Sequence, residues 1–595
     1  MIKAKTKPKA KAKAKTLSPE EKARRSLQRR HRKEIRDTFA AAGFKRADQA
    51  SDKEFKFLDV TTDFDDVFIL ENVVVLAEYT ITKESEISAH AKGKYAIYER
   101  INNNKDEFVK FARTAPLNIG SELSEKYSDS QVVVVILYCA LNTVKAELKQ
   151  QITYATFMDY SVVRYFQLLT RTVKQSARSE LLAFLRVDFA KFGHQALQNN
   201  PSPREAFRGS VLPEGQSKFP PGYKVVSFYI NPSALLARAY VLRRDGWRDR
   251  NGLYQRMIIR RKLESVRKYL LDSKRVFVNN IIVTLPSGTK VLDEHEDTIN
   301  PSIITQTQPA TISLTGDFNS IGLIDGQHRV FSYYEGGTNE DVISELRSQQ
   351  NLLVTGIIYP TDTSPEEKTR FEAGLFLEIN SNQANAKSDL KQAINQIIRP
   401  FLTDSIARDV LDAINDGTGV LAGKFSTNLL DGPGLKTTSV VSYGLRPLVR
   451  PVATAPLFSK WDDKQKDLMV SAEDDAARKR YIDYCVGKIS VFLAAAKSQL
   501  PSDRWTTDRK VADRLITPTV INGLIGAMRQ AVEAGVEIEF DGLRSKFAGL
   551  NGFAFGKYRS SQYTVMASAI YKEFLAPPAQ VQDSAMSEAI AEAED

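Results

Sequence analysis

The chain has 595 residues, 42% hydrophobic and 26% charged, which exceeds the size of a single hydrophobic core and predicts three or more folded units. No apolar run approaches membrane-spanning length and the N-terminus lacks a signal-like apolar region, so a cytoplasmic protein with no membrane partner is expected. Only Cys139 and Cys485 are present, which excludes a disulfide framework and a cysteine zinc site. The net charge of +11 is concentrated: residues 1–36 hold 15 Lys or Arg against three Glu, leaving 68 basic and 69 acidic residues in the remainder.

The charge begins with Lys3, Lys5, Lys7, Lys9, Lys11, Lys13 and Lys15, separated mostly by Ala, Thr and Pro. Residues 1–16 cannot bury a core and read as a disordered polycation, either a solubilising tail or a nonspecific clamp on DNA with steep salt dependence. The Arg-rich segment from Lys22 to Lys33 favours the clamp. A basic helix is predicted from Leu17 to Gly43, with Ser18 as N-cap, Pro19 in the first turn and Glu21 completing a capping box.

Residues 17–198 read as an α/β domain. Val67 to Leu70 and Val73 to Ala77 are strands joined at Glu71-Asn72, Val132 to Leu137 is a buried strand, and Tyr160 to Leu185 is one long amphipathic helix. Asp65 or Asp66 starts the first strand and Glu78 ends the second, so an antiparallel hairpin brings these carboxylates to one edge. Converging carboxylates are what Mg²⁺ needs to activate water against a phosphodiester. The arrangement resembles the PD-(D/E)XK nuclease pattern, an Asp followed at hairpin distance by Glu-x-Lys. The resemblance implies a metal set of Asp65, Asp66 and Glu78. Thr80 stands where that pattern has Lys. Either Lys92 or Lys94, in the helix-like segment after His90, completes the site, or the domain has lost cleavage and keeps DNA binding. A solvated hairpin tip with acidic ends is the alternative.

Residues 199–222, rich in Pro, Gly and Ser, read as a linker into a second α/β domain over 223–392. That domain is expected to hold strand Val225 to Ile230, an Arg-rich helix from Gln255 to Leu271 and strand Ile281 to Leu285. Arg260, Arg261, Arg267 and Lys268 on the helix either track a phosphate backbone or form its wet side. Asp293 to Asp297 reads as an exposed loop. The apolar run Ile321 to Ile324 then gives way to Asp325, Gly326, Gln327, His328 and Arg329 and to an amphipathic stretch. This strand-to-helix junction reads as a phosphate or nucleotide cradle: Gly326 allows close backbone approach and Arg329 offers a planar donor fork. A helix-capping turn, with Arg329 held by a core carboxylate, is the plain alternative.

These five residues match the signature of the DGQHR-domain family, which includes DndB-like proteins of bacterial DNA-modification and phage-defence systems. Phe277, Asn279, Asn280 and Ile281 resemble the family's strand after an Arg-rich helix. Phe376 to Gln383 resemble its second hallmark, an apolar strand ending in Ile-Asn, and Asn380 joins the predicted phosphate site. The resemblance implies a core similar to the ParB and sulfiredoxin fold, a nucleoside triphosphate or DNA backbone as ligand, and other proteins of the same operon as partners. Nucleotide hydrolysis by this domain and a purely regulatory role stay open beside DNA cleavage. Residues 393–576 read as helical, with stretches at Val410 to Ile414, Ala476 to Leu493, Val520 to Ala531 and Tyr563 to Phe574, and 577–595 as a disordered acidic tail.

Overall fold

A computed structural model describes residues 18–198, 204–241, 247, 258–381, 388–426, 434–559 and 561–576. The two tails, including Lys3 to Lys15, lie outside the described residues. The molecule is a mixed α/β protein with a helical C-terminal region.

Helix α1 (Pro19–Ala41) starts where its caps predict: the Ser18 hydroxyl accepts from the Glu21 N–H, and the Glu21 carboxylate accepts from the Ser18 N–H. The first sheet follows chain order, β1 (Lys45–Arg46), β2 (Asp66–Leu70), β3 (Val73–Thr80), β4 (Val133–Ala140) and β5 (Thr156–Met158). Strands β2 and β3 form the predicted hairpin around Glu71-Asn72, and β3, β4 and β5 run parallel. Asn72 locks the turn, donating to the carbonyls of Gln131 and Lys191 and accepting from the Gly193 N–H. Helix α1 and helix α3 (Tyr160–Val173) cover one face of the sheet, and helix α2 (Glu84–Gly93) belongs to the other. The single helix expected over Tyr160 to Leu185 is broken: Lys174 takes φ 49°, a 3₁₀ turn follows, and α4 (Arg178–Phe184) restarts. A left-handed Lys leaves no mark in the hydrophobic periodicity.

The second sheet has eight strands and corrects the expected linker. Within it, β6 (Arg204–Val211) pairs with β7 (Lys224–Ile230) and along its whole length with the strand Gln308–Thr315. The Pro- and Gly-rich residues 213–222 are the turn between β6 and β7, so the second unit begins at 204. Adding β8 (Ala239–Tyr240), β9 (Ile281–Leu285), β10 (Lys290–Leu292), β11 (Gln308–Thr315), β12 (Ile321–Asp325) and β13 (Leu352–Ile358), the order is β8-β12-β9-β13-β7-β6-β11-β10. A register shift between Ile282 and Val283 opposite β12 marks a bulge beside Asp325.

Helix α5 (Arg260–Ser273) precedes β9, and helix α6 (Gln327–Phe331) follows β12. The stretch Phe376 to Ser381, expected as a strand, is the end of a 17-residue helix, α7 (Pro365–Ser381). Its start is a reciprocal Ser364–Glu367 capping box, a stronger local signal than the apolar run that follows. Asn382 and Gln383 lie outside the described residues.

One continuous core joins the α1 face of the first sheet to the second sheet, with Phe189 and Phe192 packed on Phe318 at 4.8 and 5.5 Å. The helical region, with helices Thr403–Asp416, Asp475–Ser498 and Pro518–Glu533 where the periodicity places them, builds its own core. Cys139 and Cys485 are buried free thiols. Among the described residues no helix is long and apolar enough to cross a membrane.

Candidate functional site

Two regions hold the residues singled out in the sequence. The first lies at the carboxyl ends of the parallel strands. Ala77 pairs with Asp66 and therefore shares its face of the sheet, while Glu78 points to the opposite face. The hairpin thus separates two carboxylates that the sequence placed together. Asp66 is fully buried under α1, accepting from Arg36 at 2.7 and 2.9 Å, from Arg46, and from the Tyr79 hydroxyl at 2.7 Å. Asp65 sits one residue before the strand, its carboxylate taken by Arg32 and by the Tyr79 N–H.

Glu78 faces α2. Its carboxylate is buried, with Lys94 Nζ 3.3 Å away, and the same ammonium lies 3.4 Å from Asp63. Burial pushes the Glu78 carboxyl above its ordinary range, and the Lys94 charge opposes that shift. Lys94, at the end of α2, is therefore the lysine that reaches the strand, whereas Lys92 is exposed on the helix. Asp63, two residues before the expected carboxylates, completes the cluster and was passed over because it precedes the strand. His90 on α2 bonds Tyr138 through Nδ1 at 2.8 Å, and burial with the nearby Lys94 lowers its pKa. Beside these groups a cleft of about 420 Å³ runs between Tyr79 and Thr80 at the end of β3, Ile81 and Thr82 beyond it, His90, and Glu21, Arg24, Arg25 and Gln28 of α1.

No group of three or more His, Cys, Asp or Glu side chains among the described residues is placed to hold a metal ion. Asp66 is on the wrong face, Asp65 is committed to a guanidinium, and Glu78 shares a lysine with Asp63. The set Asp65, Asp66 and Glu78 does not fit Mg²⁺ in this arrangement.

The second cleft, about 450 Å³, is lined by Asp325, Gly326, Gln327, His328 and Arg329 together with Lys262, Val266, Asn279 and Asn280. The strand-loop-helix junction forms as its residue types require. Gly326 sits at φ 97°, and a Cβ there would lie 2.6 Å from Ile281 Cδ1. Helix α6 has only five residues, so cationic and amide side chains, more than a macrodipole, give the cleft its character. Arg329 bonds Asp325 at 2.8 Å. Lys262 supplies a second cation, and the buried Gln327 Oε1 and Asn280 Oδ1 have no hydrogen-bond partner among the described residues.

Helix α5 serves this cleft from two faces. Lys262 and Val266 line it, and Arg267, expected either to track a phosphate backbone or to lie on the wet side of the helix, is buried. Its guanidinium donates to the carbonyls of Ser332, Tyr334 and Thr338 and lies 4.0 Å from the Tyr334 ring, pinning the chain after α6. Arg260 is exposed and pairs with Glu264, and Arg261 is exposed. Asn380 is not among the lining residues: on α7 it donates to the Phe376 carbonyl at 2.8 Å. Asp293 closes an exposed turn on the N–H groups of His295 and Asp297, as a loop would. No family model, no curated protein and no solved structure matches the chain.

Proposed function

We propose that the chain is a DNA-binding protein of a bacterial DNA-modification or phage-defence system, acting as a regulator or scaffold. In this reading the first domain has the build of a PD-(D/E)XK nuclease and holds DNA, and the DGQHR loop reads a phosphate or nucleotide. The observation that carries the non-cutting assignment is the division of the acidic residues: Asp66 and Glu78 occupy opposite faces of the hairpin, and Asp65 and Asp66 are neutralised by Arg32, Arg36 and Arg46. A domain of this build without a metal-holding carboxylate set lacks the means to cut DNA. For the loop, Arg329 and Lys262 offer cations to phosphate oxygens, while Gln327 and Asn280 offer acceptors to ribose hydroxyls or base amino groups.

One observation favours a second reading, metal-dependent cleavage. The lysine absent at Thr80 is supplied by Lys94 at 3.3 Å from Glu78. The test is incubation of modified and unmodified plasmid with Mg²⁺ or Mn²⁺, with and without nucleoside triphosphates, using wild type, Glu78→Ala and Arg329→Ala. The regulator reading expects bound, uncut plasmid in every condition. Cutting that Glu78→Ala abolishes would replace it with the nuclease. Nucleotide turnover that survives Glu78→Ala and not Arg329→Ala would make the DGQHR domain a hydrolase.

A further inference from the structure

The core-facing stripe of α1 runs through His31, Ile35, Thr38 and Phe39, all buried. Extended toward the N-terminus at the same helical spacing, that stripe passes through Gln28 and Arg24. These positions overhang the end of β3, where the sheet stops and the cleft begins. Here the stripe leaves the core: Gln28 is half-buried and Arg24 is exposed at the rim of the cleft. Arg25, one position round, lines the same cleft. Arg24 and Arg25 make no ion pair among the described residues, whereas Arg32 and Arg36, further along, are paired to Asp65 and Asp66. The opposite wall carries the hydrogen-bonding groups Thr80, Thr82 and His90, and the acidic residue of the lining, Glu21 of α1, is engaged with the Ser18 N–H in the helix cap.

We infer that this cleft is the binding site for one sugar-phosphate strand of DNA, with Arg24 and Arg25 as the phosphate contacts that lay it across the end of β3. The inference rests on the DNA-binding reading and adds where the strand lies. Two neighbouring guanidinium groups on the rim of the cleft suit phosphate oxygens, and in the sequence Lys3 to Lys15 precede this end of α1.

The test is fluorescence anisotropy of a labelled duplex and a labelled single strand with the full chain over a salt series. It compares wild type, Arg24→Ala/Arg25→Ala and, as a control on the outer face of α1, Arg29→Ala/Arg30→Ala. The tail contributes equally to all three. Loss of two phosphate contacts lowers the slope of log K against log salt by about 1.8, at 0.9 per contact, with the control within a few tenths of wild type. Equal slopes for wild type and Arg24→Ala/Arg25→Ala, with DNA binding intact, would overturn the strand placement alone. Absence of binding by wild type at low salt would overturn the DNA reading with it. Displacement of DNA by polyglutamate at matched charge would make the partner an acidic protein segment and overturn the inference.

Discussion

Glu78 and Lys94 are a half-buried ion pair in which burial works against the carboxylate and the ammonium works for it. Because the Glu78 carboxyl is raised in the folded chain, the native state holds a proton that the unfolded chain has released, so this group stabilises at low pH and loses that contribution as pH rises through its folded value. Lys94→Met removes the opposing charge and raises the carboxyl further. The variant is expected to lose about 1–3 kcal/mol at pH 8, with a smaller loss at pH 5, read by urea unfolding at the two pH values. Gly326 gives a second prediction. Gly326→Ala forces a side chain into a left-handed backbone and against Ile281, which costs about 1–3 kcal/mol and closes the second cleft. Thermal unfolding measures the first effect, and loss of any nucleotide-dependent shift in melting measures the second. The Gly requirement was legible in Asp-Gly after an apolar strand. The division of Asp66 from Glu78 was not: strand alternation separates them only once the register is known, and the register depends on the Glu71-Asn72 turn. Arg267 was illegible for a related reason, since its partners are carbonyls more than 60 residues away.

At the scale of elements, helix α7 is anchored to the second sheet by one carboxylate. Glu372, buried, accepts from Tyr240 at 2.6 Å, Thr284 at 2.5 Å and Tyr359 at 2.7 Å, three hydroxyls from three segments. Gly322 leaves the room, since a Cβ there would meet Glu372 at 2.6 Å. Glu372→Ala strips those hydroxyls of a shared acceptor and is expected to destabilise the chain by about 2–3 kcal/mol, read as a lower urea midpoint. Glu372→Gln, which keeps one acceptor oxygen, costs less. The elements whose ends carry side-chain caps or strict periodicity, α1, β3, β9 and the long C-terminal helices, were legible from the sequence. Those set by tertiary pairing were not. Strand β6 was hidden by its polar and glycine content, because it gains its place from pairing on both edges, and α7 was hidden because the short, mostly apolar run Phe376 to Ile379 reads as strand when its distant cap is ignored.

For the molecule as a whole, the first two units share one core and bridge it with polar contacts. Arg178 reaches Glu335 at 3.4 Å just beyond the DGQHR helix and the Ala42 carbonyl at the end of α1, and Asn319 donates to the Ser179 carbonyl. The helical region has a separate core. Calorimetry is therefore expected to resolve two transitions, one for residues 18–381 and one for the helical region, and separate melting of the first two units would contradict the shared core. Within the helical region burial outweighs Arg478 and raises Asp409 to about 6. Its transition should lose stability as pH rises from about 4 to about 6 and then level off, and Asp409→Asn should remove that slope. The measurement that bears most directly on the account is binding of a labelled DNA duplex by the wild-type chain with divalent metals chelated. Binding should occur at low salt without metal and fall steeply as salt rises. Binding that appears only with Mg²⁺, or none at any salt, would contradict it.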